Sequence, residues 1–198
     1  PAEPGLFRLK KDLKLKTIKD TFADTRFILT VEISSIYSRG GKTRRIHNLV
    51  FAPDIETVEK INTQLGWIGN LLSDGRPILG LDSEELAKIV FNINPEAVII
   101  PAHAWTPWVS GFGSMSGFDT IEECYGAYAK NIFAIETGLS SDPAMNWRLS
   151  KLDNIAFISN SDSHSLERIG REANIFDTEL SYKGIMDAIR SRNPKKFL

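Results

Sequence analysis

"RFILTVEISSIYSRGGKTRRIHNLVFA" (residues 26–52) decides how the rest of the chain is read. Residues 26–33 are apolar and β-branched and read as a strand, and residues 44–52 read as a second. Between them "YSRGGKT" supplies turn chemistry, so the two pair as a hairpin. Glu32 falls near the end of the first strand and His47 inside the second.

Downstream, helical and extended patterns alternate. Asp54 caps a helix expected over 54–73, in which Ile55, Val58, Ile61, Leu65 and Ile68 recur at helical spacing until "SDGRP" breaks it. Asp82 or Ser83 caps another to residue 92, and "AVIIPAH" (97–103) is a short buried strand. A glycine-rich loop leads to a short helix near 120–128, and "NIFAIET" (131–137) is a strand. Asp142-Pro143 opens a helix to residue 151, "NIAFIS" (154–159) is a strand, and a last helix covers 181–192. Strands alternating with helices argue for an α/β fold with largely parallel strands, in which sites gather at the strands' C-terminal ends.

The chain has three histidines, and two of them, His103 and His164, lie just past an expected strand end. Glu32, Glu136 and Asp162 occupy similar places. If the strands are parallel neighbours, Glu32, His103, Glu136, Asp162 and His164 converge at one mouth, and His47 joins them if the hairpin folds over it. Such a set, with no cysteine among its members, suits Zn²⁺, Mn²⁺ or Fe²⁺ in a hydrolytic site. Each residue also has a plainer reading. His47 can be a half-buried strand histidine, Glu32 can pair with an arginine across the hairpin, and His103 can cap a turn. Glu136 can be a structural carboxylate, and Asp162 and His164 can be a helix cap and a loop residue.

Trp105 and Trp108 either wedge their loop onto the core or stack on a base or sugar. Ser140, Ser141 and Asp142 mark a helix N-terminus, suited to a phosphate or to ordinary capping. Arg168 and Arg171 are candidate phosphate or substrate clamps, with salt bridges to Glu167 or Glu172 as the alternative. Cys124 reads as a small buried side chain.

Composition is that of a globular protein, 42% hydrophobic and 25% charged over 198 residues. Residues 1–45 carry 11 Lys and Arg against 5 Asp and Glu, whereas the formal net charge of the chain is −1. "RLKKDLKLKTIK" (8–19) and "RGGKTRR" (39–45) are solvated faces or phosphate-contacting edges. No apolar run nears the roughly 18 residues of a membrane span, no secretory pattern opens the chain, and one cysteine excludes a disulfide framework. A cytoplasmic protein without membrane contact is expected.

With these residues in view, the chain resembles the PHP (polymerase and histidinol phosphatase) superfamily of metal-dependent phosphoesterases, and within it the endonuclease Q branch. The resemblance rests on "TVEISSIYSRGGKTRRIHNLVFAP" (30–53), "GRPILGLDSEEL" (75–86), "PAHAWTPWVSGFGSMSGFDTIEECYG" (101–126), "ETGLSSDPAMNWRLSKLD" (136–153) and "SNSDSHSLERIGREANIF" (159–176), which cover most of the chain. It implies a PHP-type distorted (β/α)7 barrel with a trinuclear site at the strand C-termini. It also implies ligand roles for Glu32, His47, His103, Asp162 and His164, with Glu136 at a position where the superfamily often has a ligand. Asp162, His164 and His103 are then the expected catalytic residues, and the cofactors are up to three divalent ions, Zn or Mn, with Mg or Fe as further candidates. The activity implied is hydrolysis of DNA beside a deaminated or abasic nucleotide by metal-activated water. The damaged base would be turned out into a pocket near Trp105 and Trp108. A phosphatase acting on a small phosphate ester is the alternative within the superfamily, and a non-catalytic nucleic-acid-binding module is the alternative outside enzymology.

The family opens with an H-x-H metal motif that occurs nowhere in this sequence. The expectation is therefore a partial PHP domain over 1–198, without the first strands and the zinc-binding region expected downstream, and with an incomplete metal site.

Overall fold

The computed structural model describes residues 3–9, 25–72 and 76–198. Its strands are β1 (Leu6–Phe7), β2 (Phe27–Arg39), β3 (Lys42–Ala52), β4 (Ile78–Leu79), β5 (Val98–Pro101), β6 (Ala134–Glu136) and β7 (Ala156–Ile158). Its helices are α1 (Ile55–Gly66), α2 (Ser83–Ile93), α3 (Ile121–Tyr125), α4 (Pro143–Asn146) and α5 (Tyr182–Ser191). Most of "RLKKDLKLKTIK" and part of "SDGRP" lie outside the described residues.

The hairpin of β2 and β3 is the spine, and it is longer than the two expected strands. Pairing runs from Leu29 opposite Ala52 to Arg39 opposite Lys42. Gly40 and Gly41 close it with φ of 62° and 73°, the two left-handed positions that a type I′ turn requires. This turn fixes the direction of β3, so the main sheet departs from the largely parallel expectation. β1 pairs antiparallel with β2, β3 with β2, and β5 with β3, while β4 pairs parallel with β2. β6 and β7 form a separate parallel pair. The architecture is mixed α/β, and among the described residues the strands do not close into a barrel.

Strand alternation sorts the two faces of the main sheet. On one face Ile33, Ile46, Val50 and Ile99 pack with Ile61 and Leu65 of α1, Leu86 and Val90 of α2, and Ile121, Cys124 and Tyr125 of α3. Burial of each large apolar side chain there contributes about 1.5–3 kcal/mol. On the other face Val98 and Ile100 meet Ala156 and Ile158 of β7 and Tyr182, Met186 and Ile189 of α5. Along β3 this second face runs Phe51, Leu49, His47, Arg45: it begins apolar and turns polar at His47.

Capping follows the sequence. Asp54, Asp82, Thr120, Asp142 and Ser181 accept backbone N–H groups at the starts of α1 to α5. α1 stops at Gly66 rather than near residue 73: the Ile68 N–H bonds the Leu65 carbonyl three residues back, at 2.9 Å, in place of the i→i−4 helical pattern. α4 is one turn, not a helix to residue 151, and a 3-10 turn at Ser150–Leu152 follows it. Among the described residues no helix is long and apolar enough to cross a membrane.

Candidate metal centre

Three elements deliver the centre. In the hairpin register His47 faces Ser34 and Glu32 faces Leu49, so Glu32 and His47 are diagonal neighbours on one face. β5 lies on the other side of β3, and the Ala102 N–H donates to the His47 carbonyl at 3.0 Å. The next residue, His103, leaves the strand with φ 29°, a left-handed conformation uncommon for a non-glycine residue. That turn brings its ring back over the sheet.

The donor atoms then meet. His47 Nδ1 lies 2.6 Å from Glu32 Oε1 and 3.0 Å from His103 Nε2, and His103 Nε2 lies 3.3 Å from the same carboxylate oxygen. Donors each about 2.1 Å from one ion stand roughly 3–3.5 Å apart, which the two contacts of His103 match, while His47 Nδ1 and Glu32 Oε1 stand at hydrogen-bonding distance. His47 and His103 are buried, and Glu32 is half-buried. Two imidazole nitrogens and a carboxylate oxygen that face one another repel through their lone pairs unless a proton or a cation lies between them. His103 Nδ1 is also buried, without a hydrogen-bond partner among the described residues. The donor set is mixed nitrogen and oxygen without sulfur, which suits a borderline or hard divalent ion. Glu32, His47 and His103 can therefore hold a metal ion.

Electrostatics favour the same use. Burial would raise the Glu32 carboxyl, but hydrogen bonds from His103 and His47 and the charges of His47 and Arg76 outweigh it and hold the group well below the usual carboxylate range. Burial would lower the His103 imidazole; the hydrogen bond and charge of Glu32, with Glu136 and Asp162 behind it, raise it instead.

Glu136 is placed differently from those three. It is 2% exposed; its Oε2 accepts the His103 backbone N–H at 2.8 Å and its Oε1 accepts Asn160 Nδ2 at 2.7 Å. Its own carbonyl accepts the Ala104 N–H at 2.8 Å. Burial raises its carboxyl above the ordinary value. Glu136 thus stands behind His103 and grips its backbone.

Asp162 and His164 occupy the loop after β7. Asp162 is the second site candidate with left-handed backbone, φ 42°. The loop is tied down by Asn174, whose Oδ1 accepts the Ser159 N–H at 2.8 Å, and by Arg171, whose Nε donates to the Ser161 carbonyl at 2.6 Å and Nη2 to the Asp162 carbonyl at 3.3 Å. The His164 ring is exposed, with Nδ1 3.6 Å from Asp162 Oδ1, and neither side chain is in the cluster of Glu32, His47 and His103. Arg171 holds the loop, and Arg168 is exposed on a 3-10 turn at Leu166–Arg168.

Trp105 packs on Phe112 with ring centroids 5.0 Å apart, and its Nε1 donates to Asn146 Oδ1 at 2.7 Å; Trp108 is exposed. At α4 the Asp142 carboxylate accepts the Met145 N–H at 2.8 Å, and the Ser141 hydroxyl donates to the Thr137 carbonyl at 3.1 Å, so both are engaged in capping and turn contacts. Cys124 is buried, and burial pushes its thiol up to about 12, the setting of an inert side chain.

Sequence reasoning missed two neighbours of the centre. Arg76 Nη1 lies 3.4 Å from Glu32 Oε2. Gly138, with φ 57°, leaves room for His103: a Cβ on it would stand 2.7 Å from the His103 Cβ. The glycine directly after "ET" was the available signal for the second; nothing in the sequence signalled the two-residue strand β4 that delivers Arg76.

Comparison with known proteins agrees at the level of the superfamily. Residues 145–194, which carry β7, the Asp162–His164 loop and α5, match the family model described as "PHP-associated". That match supports a relation to the PHP superfamily. The chain is 28% identical over 159 residues to "Uncharacterized protein YqxK" of Bacillus subtilis, covering 77% of this chain and 38% of the relative. It is 36% identical over 141 residues to "Uncharacterized protein MJ0043" of Methanocaldococcus jannaschii, covering 66% of this chain and 17% of the relative. The chain thus spans well under two thirds of either relative. No solved structure matches.

Proposed function

We propose that the chain is part of a metal-dependent phosphoesterase of the PHP type, and that its substrate is DNA carrying a deaminated or abasic nucleotide. The observation that carries this reading is the convergence of Glu32, His47 and His103 on one point of a sheet face. A divalent ion bound there supplies Lewis acidity toward a phosphoryl oxygen and lowers the pKa of water at neutral pH.

The protein's own residues do the rest. Glu32 contributes the negative charge and His47 and His103 neutral nitrogen donors. Glu136 fixes the His103 backbone. In this reading Asp162 and His164 supply further ligands from the loop after β7, whose backbone Arg171 and Asn174 hold. Trp105 and Trp108 border the place for an unstacked base, and Arg168 lies on the exposed approach. The (β/α)7 barrel and a site of up to three ions belong to the same proposal, for a domain longer than this chain. Zn or Mn, with Mg or Fe as further candidates, fits the donors.

The test is cleavage of a labelled duplex carrying one deoxyuridine, in the presence of Mn²⁺ or Zn²⁺, beside an undamaged duplex and a small phosphate monoester. Nicking at the lesion that is abolished by Glu32→Gln supports the reading. Hydrolysis of the monoester alone assigns the site to a small-ester phosphatase. A variant as active as the parent removes Glu32 from the chemistry and overturns the proposal.

A further inference from the structure

The hairpin carries Arg39, Lys42, Arg44 and Arg45 close together, and the structure sorts the three arginines by face. Arg39 and Arg44 point to the helix-covered face. Arg39 pairs with Asp82 and Glu84 at 3.3 and 3.5 Å, and the Arg44 guanidinium lies 4.0 Å over the Phe118 ring. Both are committed to the fold.

Arg45 is on the other face. It stands opposite Ile36, one pleat from His47 opposite Ser34, so Arg45 and His47 project to the same side with Cα atoms about 6.8 Å apart. Its side chain is half-buried, and among the described residues no hydrogen bond or ion pair engages it. Beyond Glu32, on the β4 side, stands Arg76. One of its nitrogens reaches Glu32 at 3.4 Å, while its Nε is buried and has no hydrogen-bond partner among the described residues. Arg76, Glu32, His47 and Arg45 therefore follow one another across β4, β2 and β3. Two guanidinium groups flank the metal-ligand set, and each keeps donors unused.

We propose that Arg45 and Arg76 form an anion subsite that receives the phosphoryl oxygens of a phosphate ester placed over Glu32, His47 and His103. Guanidinium forks match tetrahedral oxyanions in geometry as well as charge. Arg76 also compensates Glu32, which would otherwise repel the substrate. The inference deepens the metal-centre reading and rests on it for what lies beneath the phosphate, but the anion subsite itself needs only the two arginines.

The experiment is calorimetric titration of inorganic phosphate into the full chain, once after chelator treatment and once with Mn²⁺, for the parent, Arg45→Gln and Arg45→Lys. Thermal unfolding of each variant checks that the fold is intact. Expected is a loss of phosphate affinity of roughly 10-fold in Arg45→Gln in both states, with a smaller loss in Arg45→Lys, which keeps charge without the fork. A second arm replaces phosphate with a dinucleotide phosphodiester: dependence on Arg45 for both anions assigns the subsite to diesters as well as monoesters, and dependence for phosphate alone assigns it to monoesters. Phosphate affinity unchanged in Arg45→Gln, or no phosphate binding by the parent in either state, overturns the proposal. Mn²⁺ affinity read from the same samples keeps the two readings apart. Arg45-dependent phosphate binding without any Mn²⁺ binding leaves the subsite standing and removes the metal centre.

Discussion

The Glu136 carboxylate accepts the backbone N–H of His103 at 2.8 Å, inside the protein and beside the metal-ligand set. One buried carboxylate oxygen thus stabilises a histidine in a left-handed conformation, and the other oxygen reaches Asn160 on the loop that leads to Asp162. Glu136→Ala would leave one buried donor, the His103 N–H, and one half-buried donor, Asn160 Nδ2, unpaired. The expected cost is about 1–3 kcal/mol of stability for each donor left unsatisfied. A loss of metal affinity of roughly 10- to 100-fold should accompany it, as for other groups that orient ligands. Chemical unfolding and metal titration on the same protein check both figures.

Gly138 makes the complementary prediction. Its φ of 57° is unfavourable for any side chain, and an added Cβ would meet the His103 Cβ at 2.7 Å. Gly138→Ala should destabilise the fold by about 1–3 kcal/mol and weaken metal binding together. Equal metal affinity in the variant and the parent would show that His103 tolerates displacement.

Much of this was legible in the sequence, and the limits are physical. His103 stood out because it directly follows an apolar strand, Glu32 because it falls near the end of one, and His47 because the hairpin announced by the glycine pair folds it toward them. The direction of β3 was also implicit in that pair, since a two-residue turn can join only antiparallel strands. The largely parallel expectation gave the helix–strand alternation more weight than the turn. The grip of Glu136 on the His103 backbone depends on how β5 and β6 approach, which no local pattern encodes. Nor does any local pattern set Arg76 beside Glu32, 44 residues earlier in the chain.

Metal affinity should depend on pH through His103. Its imidazole is raised in the metal-free protein, with burial opposing the shift and Glu32 driving it. Metal binding requires the neutral ring, so protons compete below that raised value. Affinity for Mn²⁺ should therefore fall as pH drops from 8 toward 6, with protons released on binding. Titrations in buffers of different ionisation enthalpy measure the release; no release at pH 6 would exclude His103 as a ligand.

Acid stability should report on Glu3. Hydrogen bonds from Arg26 and Arg8 hold its carboxyl down at about 2, from an ordinary value of 4.5. A depressed carboxyl stabilises the folded state above its unfolded value, and that contribution is lost as pH falls from about 4.5 toward 2. Glu3→Gln should be less stable than the parent at pH 7 and converge with it only as the pH reaches about 2. Parallel stability curves across that range would remove the ion pairs of Glu3 as a factor.

The central claim is that Glu32, His47 and His103 hold one divalent ion between them. Its most direct measurement is equilibrium dialysis of the purified chain against Zn²⁺ or Mn²⁺, followed by elemental analysis, for the parent and for Glu32→Ala and His47→Ala. The account predicts bound metal in the parent and loss of that metal in either variant, with the hairpin still folded. A parent without metal, or variants that retain the parent's full complement, would contradict it.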